Sequence, residues 1–334
     1  MQLSIIIVNY RSATDICNCL QSAMQFSSYQ SFEWIVIDND SKDNSREIIL
    51  SAFPFVKWIE MGYNAGFARG NNEGVRQARG EVVLLLNPDT IILDDALDKC
   101  FQRLIATNYV ACAVQLLNPD KSPQITGNFF MKGGLNHLLP LPYMGQLLRS
   151  IAFAARVKKT NVQQSSNEEK VDWINGAFLM VKKSVIAKAG LMDEDFFLYA
   201  EEIEWCSRLK KQGELCVFGD LNVIHLQGES INKATKSADK GYFNLYDKKG
   251  LQLIVSQLVR IRKQFGVGWF LFHLFMNTVE VPLFFVCSII DNIFHLHNPF
   301  KDWKLISGFT KNIVKTWRLF FIILNNKPHF YKMF

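Results

Sequence analysis

The chain has 334 residues, 49% of them hydrophobic, which is enough apolar material for one large domain or two smaller ones and excludes a disordered polymer. The formal charge of +6 is unevenly placed, because residues 1–235 carry 23 Lys and Arg against 26 Asp and Glu, whereas residues 236–334 carry 14 against 5. The basic residues of the tail alternate with long apolar runs. This pattern favours an anionic membrane surface, and we expect no nucleic-acid partner.

The cysteine content favours a reducing compartment. Seven cysteines are spread over the chain without a paired framework, and Cys17 and Cys19 have the wrong spacing for a zinc pair. We therefore expect buried thiols in a cytosolic protein. An apolar run from Leu3 to Val8 opens the chain without a charged leader, so we expect no signal peptide.

Strands and helices alternate through the first third of the chain. Five short apolar runs predict strands, and the segments after them have apolar residues at helical spacings of three and four. The predicted strands are 3–8, 34–38, 56–59, 82–86 and 110–116. Short links between alternating strands and helices predict an α/β fold with a doubly wound, mostly parallel sheet flanked by helices.

The fourth run leads directly into Asn87-Pro88-Asp89 and so delivers one carboxylate to the carboxyl edge of the sheet. Open α/β sheets bind ligands outside that edge, where Asp89 could hold a divalent cation. The alternative is that Asp89 only caps the turn before the next helix. This segment alone does not decide between the two interpretations.

Two more polar clusters follow predicted strands. Tyr10, beside Asn9, could stack on a nucleotide base, and Asp38 could accept an N–H group from it. The stretch 64–72 is a glycine-containing helix entry whose backbone N–H groups and Arg69 could face phosphate. The Gly-x-Gly-x-x-Gly and Walker patterns are missing from the sequence, so a mononucleotide diphosphate is the predicted ligand.

The last cluster combines three acids with a histidine. Glu201, Glu202 and Glu204 open a helix predicted over 201–212, and His225 ends a short predicted strand. The helix macrodipole stabilises carboxylates at this position, which explains any one of them. Three within four residues exceed what capping needs, so one is predicted to act as a base on a bound hydroxyl.

Residues 118–170 break the alternation with an apolar patch that contains two prolines, a basic segment and a polar run. We interpret this stretch as a variable insertion that either covers an acceptor site or forms an exposed loop. The predicted domains are therefore residues 1–235, which include the insertion, and a basic, aromatic-rich helical tail over 236–334.

The tail predicts contact with a membrane over residues 266–324. The segment 269–290 is long enough to cross a bilayer, but a spanning helix would place Glu280 near mid-membrane at a cost of several kcal/mol. We therefore predict a re-entrant or interfacial pair of helices bent at Pro282. Apolar residues from Ile306 to Leu324 recur at helical spacing beside a basic stripe, which predicts a helix on an anionic leaflet or, alternatively, one packed on the first domain.

Six motifs follow one another along residues 3–232. They are Val36-Ile37-Asp38-Asn39-x-Ser41-x-Asp43, Asn64-x-Gly66-Phe67-Ala68-x-Gly70-Asn71-Asn72, Leu86-Asn87-Pro88-Asp89, Asn175-Gly176-Ala177-Phe178, Phe197-x-Tyr199-x-Glu201-Glu202-x-Glu204-x-Cys206-x-Arg208-Leu209 and His225-x-x-Gly228-x-Ser230. Together they resemble the family 2 glycosyltransferases, and within that family the bacterial rhamnosyltransferase-like branch.

The resemblance implies a GT-A fold, a nucleotide-diphosphate sugar donor, a Mg²⁺ or Mn²⁺ ion and inversion at the anomeric carbon. Asn87-Pro88-Asp89 stands in the place of the family's Asp-x-Asp, so Asp89 would bind the metal, and His225 matches a later metal ligand. Glu202 matches the catalytic base, which is usually Asp. All three acids here are Glu, and this departure leaves the base open between Glu201 and Glu202.

The residues themselves and the motifs together predict further site residues. Those implied to bind the nucleotide are Asn9, Tyr10, Asp38, Asn64, Gly66, Arg69 and Asn87. Those implied to contact the sugar or the acceptor are Trp173, Asn175, Gly176 and Glu204.

The resulting hypothesis is an inverting glycosyltransferase that builds surface polysaccharide, such as O-antigen or capsule, on a lipid-linked acceptor. It would work as a peripheral protein on the cytoplasmic face of a bacterial membrane, with deoxythymidine diphosphate rhamnose as the donor that the branch favours. A sugar-nucleotide nucleotidyltransferase is one alternative, although no glycine-rich loop follows the first strand. An inactive scaffold that binds a glycan or a nucleotide sugar is another, which the intact acids and His225 argue against.

Overall fold

The computed structural model describes residues 2–130, 134–157, 159–165, 167–227 and 244–334. Their contacts divide them into two units. The sheet unit comprises residues 2–130, 160–165, 167–197 and 201–227, and the helical unit comprises 134–157, 159, 198–200 and 244–334. Much of the segment that the sequence analysis treats as an insertion in the first domain, residues 134–157, thus belongs with the C-terminal helices.

The sheet unit contains twelve strands. They are β1 Leu3–Asn9, β2 Glu33–Asp38, β3 Lys57–Glu60, β4 Val82–Leu86, β5 Thr90–Ile92, β6 Ala111–Leu117, β7 Gly127–Asn128, β8 Asn161–Val162, β9 Glu169–Val171, β10 Trp173–Ile174, β11 Phe178–Lys182 and β12 Leu215–His225. Its helices are α1 Ala13–Ala23, α2 Ser45–Ala52, α3 Gly66–Gln77, α4 Ala96–Ala106, α6 Lys183–Ala189 and α7 Glu201–Leu209.

Nine strands form one mixed sheet with the order β3-β2-β1-β4-β11-β6-β12-β5, and β9 pairs with β12 as well. β1, β2, β3, β4, β6 and β12 run in one direction, whereas β11 is antiparallel to both β4 and β6. A small sheet of order β10-β7-β8 completes the unit. The predicted mostly parallel α/β sheet is therefore confirmed, with β11 as the inserted antiparallel strand.

The central strands are held by burial on both faces. All five residues of β4 are at most 2% exposed, and β1 and β2 are almost as fully buried. Fully burying a Val, Leu or Ile side chain contributes about 1.5–3 kcal/mol, so these short runs dominate the stability of the unit. The parallel register sets Asn9 opposite Asp38, so the carboxyl ends of β1 and β2 lie at one level.

The helical unit contains α5 Pro142–Ala154, α8 Lys248–Phe265, α9 Val267–Phe294, α10 Trp303–Arg318 and α11 Phe320–Leu324. Among the helices described, α9 alone, with 28 residues, is long and apolar enough to cross a bilayer. It continues through Pro282, so the predicted pair of helices bent at this proline is wrong. Pro282 removes one backbone hydrogen bond, a local loss that packing of α9 against α5, α8 and α10 outweighs.

The apolar stripe of α10 also differs from the leading prediction. Ile306, Phe309 and Ile313 are at most 6% exposed, so this part of the stripe faces the interior of the helical unit and not a lipid leaflet, whereas Trp317 farther along is 43% exposed. Close packing is visible at Gly308, where an added Cβ would lie 2.3 Å from the backbone oxygen of Tyr246. The apolar face of an amphipathic helix can pack against protein or against lipid, and protein covers Ile306, Phe309 and Ile313.

Candidate active site

Asp89 and His225 meet at the carboxyl edge of the sheet. His225 is the last residue of β12 and pairs with Thr90 of β5, which brings it beside the Asn87-Pro88-Asp89 turn after β4. Nε2 of His225 lies 3.4 Å from Oδ1 of Asp89 and 3.3 Å from Nδ2 of Asn87. Asp89 is 6% exposed and His225 is 7% exposed, so little water screens the pair.

Gln124 fixes the histidine ring. Its Nε2 donates to the backbone oxygen of His225 at 2.6 Å and to Oδ1 of Asn118 at 2.9 Å. Because these acceptors occupy the amino side of the amide, Oε1 must face the ring, and it lies 3.1 Å from Nδ1 of His225. A carbonyl oxygen can only accept, so Nδ1 carries a proton and Nε2 faces Asp89.

This arrangement fits a divalent cation. An imidazole nitrogen and a carboxylate oxygen lie 3.4 Å apart here, and two adjacent ligands of one Mg²⁺ or Mn²⁺ ion lie about 3 Å apart. Within the described ranges, no three His, Cys, Asp or Glu side chains gather into a complete cage. Asp89 and His225 could thus supply two ligands of such an ion, with substrate phosphates and water as the others.

The predicted base-binding residues are joined at the ends of β1 and β2. Nδ2 of Asn9 donates to Oδ1 of Asp38 at 2.8 Å and to the hydroxyl of Ser41 at 3.0 Å. The backbone N–H of Ser41 donates to the second oxygen of Asp38 at 3.2 Å. Asp38 and Tyr10 remain partly exposed, so both can still meet a ligand at this edge.

The helix entry at α3 differs from its predicted role. The backbone N–H groups of Ala65, Gly66 and Phe67 donate to Oδ1 of Asn39, to Oδ1 of Asn64 and to the backbone oxygen of Phe197, respectively. The expectation that these groups face phosphate is therefore wrong. Ala65 and Gly66 are buried, and buried N–H groups need protein acceptors, which the asparagines of the motif supply.

Arg69 has protein partners too. Its Nε donates to the backbone oxygen of Glu194 at 2.9 Å, and Nη1 lies 3.4 Å from the hydroxyl of Tyr63. The structure therefore gives this guanidinium a role in tying α3 to the segment before α7. Its contact with phosphate stays a prediction.

Gly176 lies between the Asn87-Pro88-Asp89 turn and Glu202. The backbone N–H of Asn87 donates to the oxygen of Ala177 at 2.9 Å, which sets the Asn87 turn against the 175–177 turn. Oδ1 of Asn175 shapes that turn by accepting from the N–H of Ala177 at 2.9 Å. A Cβ added to Gly176 would lie 3.6 Å from Cβ of Glu202, so the first turn of α7 abuts the same loop.

The three glutamates of α7 have different surroundings. Glu201 is 3% exposed, whereas Glu202 is only partly buried. Glu204 holds Arg208 through both carboxylate oxygens, at 2.8 and 2.7 Å. Glu202 is thus the most accessible of the three, and the acceptor role predicted for Glu204 competes with its pairing to Arg208.

Neighbouring residues frame this helix. Trp173, also predicted to contact sugar or acceptor, lies on β10 opposite Asn128 and is partly exposed. Cys206, one helical turn after Glu202, is fully buried, and burial raises the pKa of its thiol to about 12. This thiol stays protonated at neutral pH, so it is part of the core and not a nucleophile.

Sequence reasoning missed Gln124 and Asn39. Gln124 lies in the segment interpreted as a variable insertion, where a lone glutamine carries no recognisable signal. Asn39 belongs to a quoted motif, but its partners lie far away in the sequence. Its Oδ1 accepts from the N–H of Ala65, 26 residues away, and its Nδ2 donates to the oxygen of Gly66, 27 residues away. Only the folded sheet brings these partners together.

Comparisons with known proteins bear on this geometry. The family model described as Glycosyl transferase family 2 matches residues 4–161, which include Asn9, Asp38 and Asp89. The low-salt glycan biosynthesis hexosyltransferase Agl10 of Haloferax volcanii is 30% identical over 219 residues, 63% of this chain and 62% of that protein. Residues 4–161 are therefore similar to glycosyltransferase family 2, and the chain spans less than two thirds of the length of the Haloferax relative.

Two further proteins are similar to this chain. The N-acetylglucosaminyl-diphospho-decaprenol L-rhamnosyltransferase of Mycobacterium tuberculosis is 22% identical and shares 69% of this chain and 78% of its own length. The crystal structure of GalNAc-T7 with UDP, GalNAc and Mn²⁺ matches at a TM-score of 0.50 and 13% identity, over 79% of this chain and 54% of that one. The expected resemblance to family 2 and the GT-A-type fold are confirmed.

Proposed function

We propose that this chain is an inverting, metal-dependent glycosyltransferase. The observation that carries the proposal is the buried contact between Asp89 and His225, whose facing atoms lie 3.4 Å apart. The Asn87-Pro88-Asp89 turn is hydrogen-bonded to the 175–177 turn, and that turn abuts Glu202. Transfer from a nucleotide-diphosphate sugar needs a base and a cation site at the same edge of the sheet. The hexosyltransferase and rhamnosyltransferase relatives support this chemistry.

The nucleotide would lie over the ends of β1 and β2. Asp38 accepts from protein donors on both oxygens, and each oxygen retains a lone pair that can take an N–H group of the base. Tyr10 offers its partly exposed ring as a stacking surface. We propose Asn9 as the residue that orients Asp38, because it donates to that carboxylate directly.

The diphosphate would lie beside Asp89 and His225. A bound Mg²⁺ or Mn²⁺ ion supplies positive charge opposite the leaving diphosphate. Asn87 and Gln124 contact the Nε2 and Nδ1 sides of the imidazole, which fixes the ring beside Asp89 before any ligand arrives.

Glu202 is the proposed base. It removes the proton of the acceptor hydroxyl while that oxygen attacks the anomeric carbon from the face opposite the diphosphate. The new C–O bond forms as the bond to the diphosphate breaks, which inverts the configuration in a single displacement. Greater accessibility favours Glu202 over Glu201 for this task.

The proposed acceptor is a lipid-linked glycan at the inner face of a bacterial plasma membrane, in the synthesis of surface polysaccharide. One relative is named for a diphospho-decaprenol acceptor, and L-rhamnose is the sugar that it transfers. We extend to this chain the lipid-linked acceptor and, as the first donor to test, deoxythymidine diphosphate rhamnose.

Glu202→Gln is the decisive variant. Loss of general-base catalysis should lower transfer by about 10²–10⁴-fold while cation-dependent donor binding stays intact. Glu201→Gln is the matched control on the same turn and should keep most of its activity. Transfer from a panel of nucleotide sugars to extracted lipid acceptor provides the readout. Near-normal turnover by Glu202→Gln would remove this residue from the base role.

A further inference from the structure

Helix α9 turns its polar side chains inward. His273, Asn277, Glu280, Ser288 and Asn292 recur at helical spacing along one face, and each is at most 7% exposed. A helix of a water-soluble protein normally buries its apolar face and exposes its polar one. The polarity of α9 is therefore inverted.

Protein partners satisfy the inward face. Glu280 accepts the backbone N–H groups of Tyr143 and Met144 at 2.7 and 3.2 Å, so its carboxylate caps the N-terminus of α5. His273 places its two ring nitrogens 2.8 and 2.9 Å from the backbone oxygens of Trp269 and Gly134. The objection that Glu280 would meet lipid no longer applies, because this side chain is fully buried in protein.

The outward face is apolar along the whole helix. Its large exposed side chains are Leu271 at 42%, Phe275 at 62%, Leu283 at 37%, Val286 at 50%, Ile290 at 48% and Ile293 at 54%. The 28 residues extend about 42 Å at about 1.5 Å per residue. A continuous apolar strip of that length in contact with water marks an interaction surface.

Charge identifies the partner. The described residues of the helical unit carry 15 Lys and Arg against 4 Asp and Glu, a net charge of +11. Two copies of so basic a unit repel each other, whereas an anionic lipid surface attracts it, by about 1 kcal/mol for each Lys or Arg close to that surface. Anionic lipid therefore fits both the strip and its surroundings.

We propose that α9 lies in the plane of an anionic bilayer, with the outward strip in the acyl layer of one leaflet and the polar face docked on α5, α8 and α10. Because protein covers the inward face over the length of the helix, lipid cannot surround α9 as it surrounds a spanning helix. The inference goes beyond sugar transfer, since it concerns a surface of the helical unit alone.

Binding of the full chain to vesicles tests the surface. Vesicles of phosphatidylcholine with about a third phosphatidylglycerol should bind the protein at least tenfold better than phosphatidylcholine alone, and high salt should reduce the difference. Phe275→Glu and Val286→Glu should each lower the partition constant about tenfold or more, since each removes the burial of one large side chain. Ile105→Glu, at a site on α4 that is 46% exposed, is the matched control and should bind as the parent does.

Depth measurements distinguish an in-plane helix from a span. Single cysteines at Leu271, Val286 and Ile293, in a chain with Cys17 and Cys287 replaced by Ser, would carry a fluorophore that brominated lipids quench. All three labels should be quenched most by the same bromine position. A middle label deeper than both ends would overturn the in-plane arrangement, as would a parent chain that binds vesicles no better than Phe275→Glu.

Two controls separate this inference from other failures. Cation-dependent donor binding by the sheet unit should be unchanged in the α9 variants, which shows that they fold. If the strip instead mediates self-association, the parent would form a dimer without lipid that Val286→Glu disrupts, and the proposal would be wrong. A chain that binds vesicles yet transfers no sugar would overturn the proposed function and leave the membrane surface standing.

Discussion

Gln124 and His225 exchange two hydrogen bonds across 101 residues of sequence. The Oε1 atom of Gln124 lies 3.1 Å from Nδ1 of the ring, and its Nε2 donates at 2.6 Å to the backbone oxygen of the same histidine. One amide thus sets both the position of the main chain and the orientation of the ring. Contacts of this kind prepare a metal ligand before the metal arrives.

Removal of the Gln124 amide should therefore weaken the metal site. We expect Gln124→Ala to lower Mn²⁺ affinity by about 10–100-fold, the usual effect of losing a partner that orients a ligand. Titration calorimetry with Mn²⁺ alone measures it without any transfer reaction. Gln252→Ala is the control, because Gln252 is an equally buried glutamine whose bonds are to Ser256 and Tyr331 in the helical unit. Equal loss in both variants would contradict the positioning role.

Asp89 should be needed for cation-dependent donor binding. Asp89→Asn keeps the shape of the side chain but removes the negative charge, so Mn²⁺ should no longer strengthen donor binding by the factor seen in the parent. We expect a loss of at least about 10–100-fold in donor affinity with Mn²⁺ present and little change without it. Calorimetry with and without the ion provides the comparison, and Asp98→Asn on α4 is the control. If donor binding by Asp89→Asn responded to Mn²⁺ as in the parent, the cation would not bind at Asp89.

Gly66 should tolerate no side chain. Its φ of +76° favours glycine, and an added Cβ would lie 2.1 Å from the backbone oxygen of Phe197. Gly66→Ala should cost about 2–5 kcal/mol, from roughly 1–2 for the left-handed backbone and about 1–3 for overpacking. Gly62→Ala isolates the backbone contribution, because Gly62 has a φ of +72° and no atom within 4 Å of an added Cβ. Urea unfolding of both variants should show the larger loss at Gly66.

Glu33 should make the free energy of unfolding depend on pH. Burial raises the pKa of its carboxyl, but hydrogen bonds from Arg79 and Ser4 outweigh this and hold the pKa below its ordinary value of 4.5. The stabilisation is fully present at a pH above the pKa that Glu33 has in the unfolded chain. It is lost as the pH falls through the lower pKa that Glu33 has in the folded protein. Glu33→Gln should thus cost about 1–3 kcal/mol at neutral pH, and progressively less below about pH 4.5.

The control for this prediction is Glu81→Gln, since Glu81 is exposed. Unfolding free energies of both variants should be compared with the parent between neutral pH and the acid limit of folding. A difference between Glu33→Gln and the parent that is constant with pH would show that the carboxylate charge does not contribute.

The structure shows where local pattern is a sufficient guide. The runs that end in Asn9, Asp38 and Leu86 are buried strands of the sheet, because β-branched apolar runs of four to seven residues have few other ways to bury both faces. The motifs also predict the similarity to glycosyltransferase family 2 that the family model finds over residues 4–161. Contacts that depend on distant segments, such as Phe197 against Gly66, have no local signature.

The amphipathic helices show the opposite limit. The period of α10 predicts an apolar stripe, and the stripe exists, but Ile306 and Phe309 are covered by protein. In α9 the polar residues that argue against lipid contact face inward, where Glu280 caps α5. Helical periodicity gives the face of a residue and not what covers that face, which depends on the packing partner.

The sequence by itself determined the alternating strands, the resemblance to family 2 and the identities of the acids and the histidine, because short-range burial and motif spacing are written in consecutive residues. Only the tertiary structure decided that Asp89 and His225 approach each other at one buried edge of the sheet, that Gln124 orients the ring, and that the polar face of α9 is turned inward. Each of these depends on partners separated by about a hundred residues or more, and the closure of the sheet and the docking of α5 bring them together.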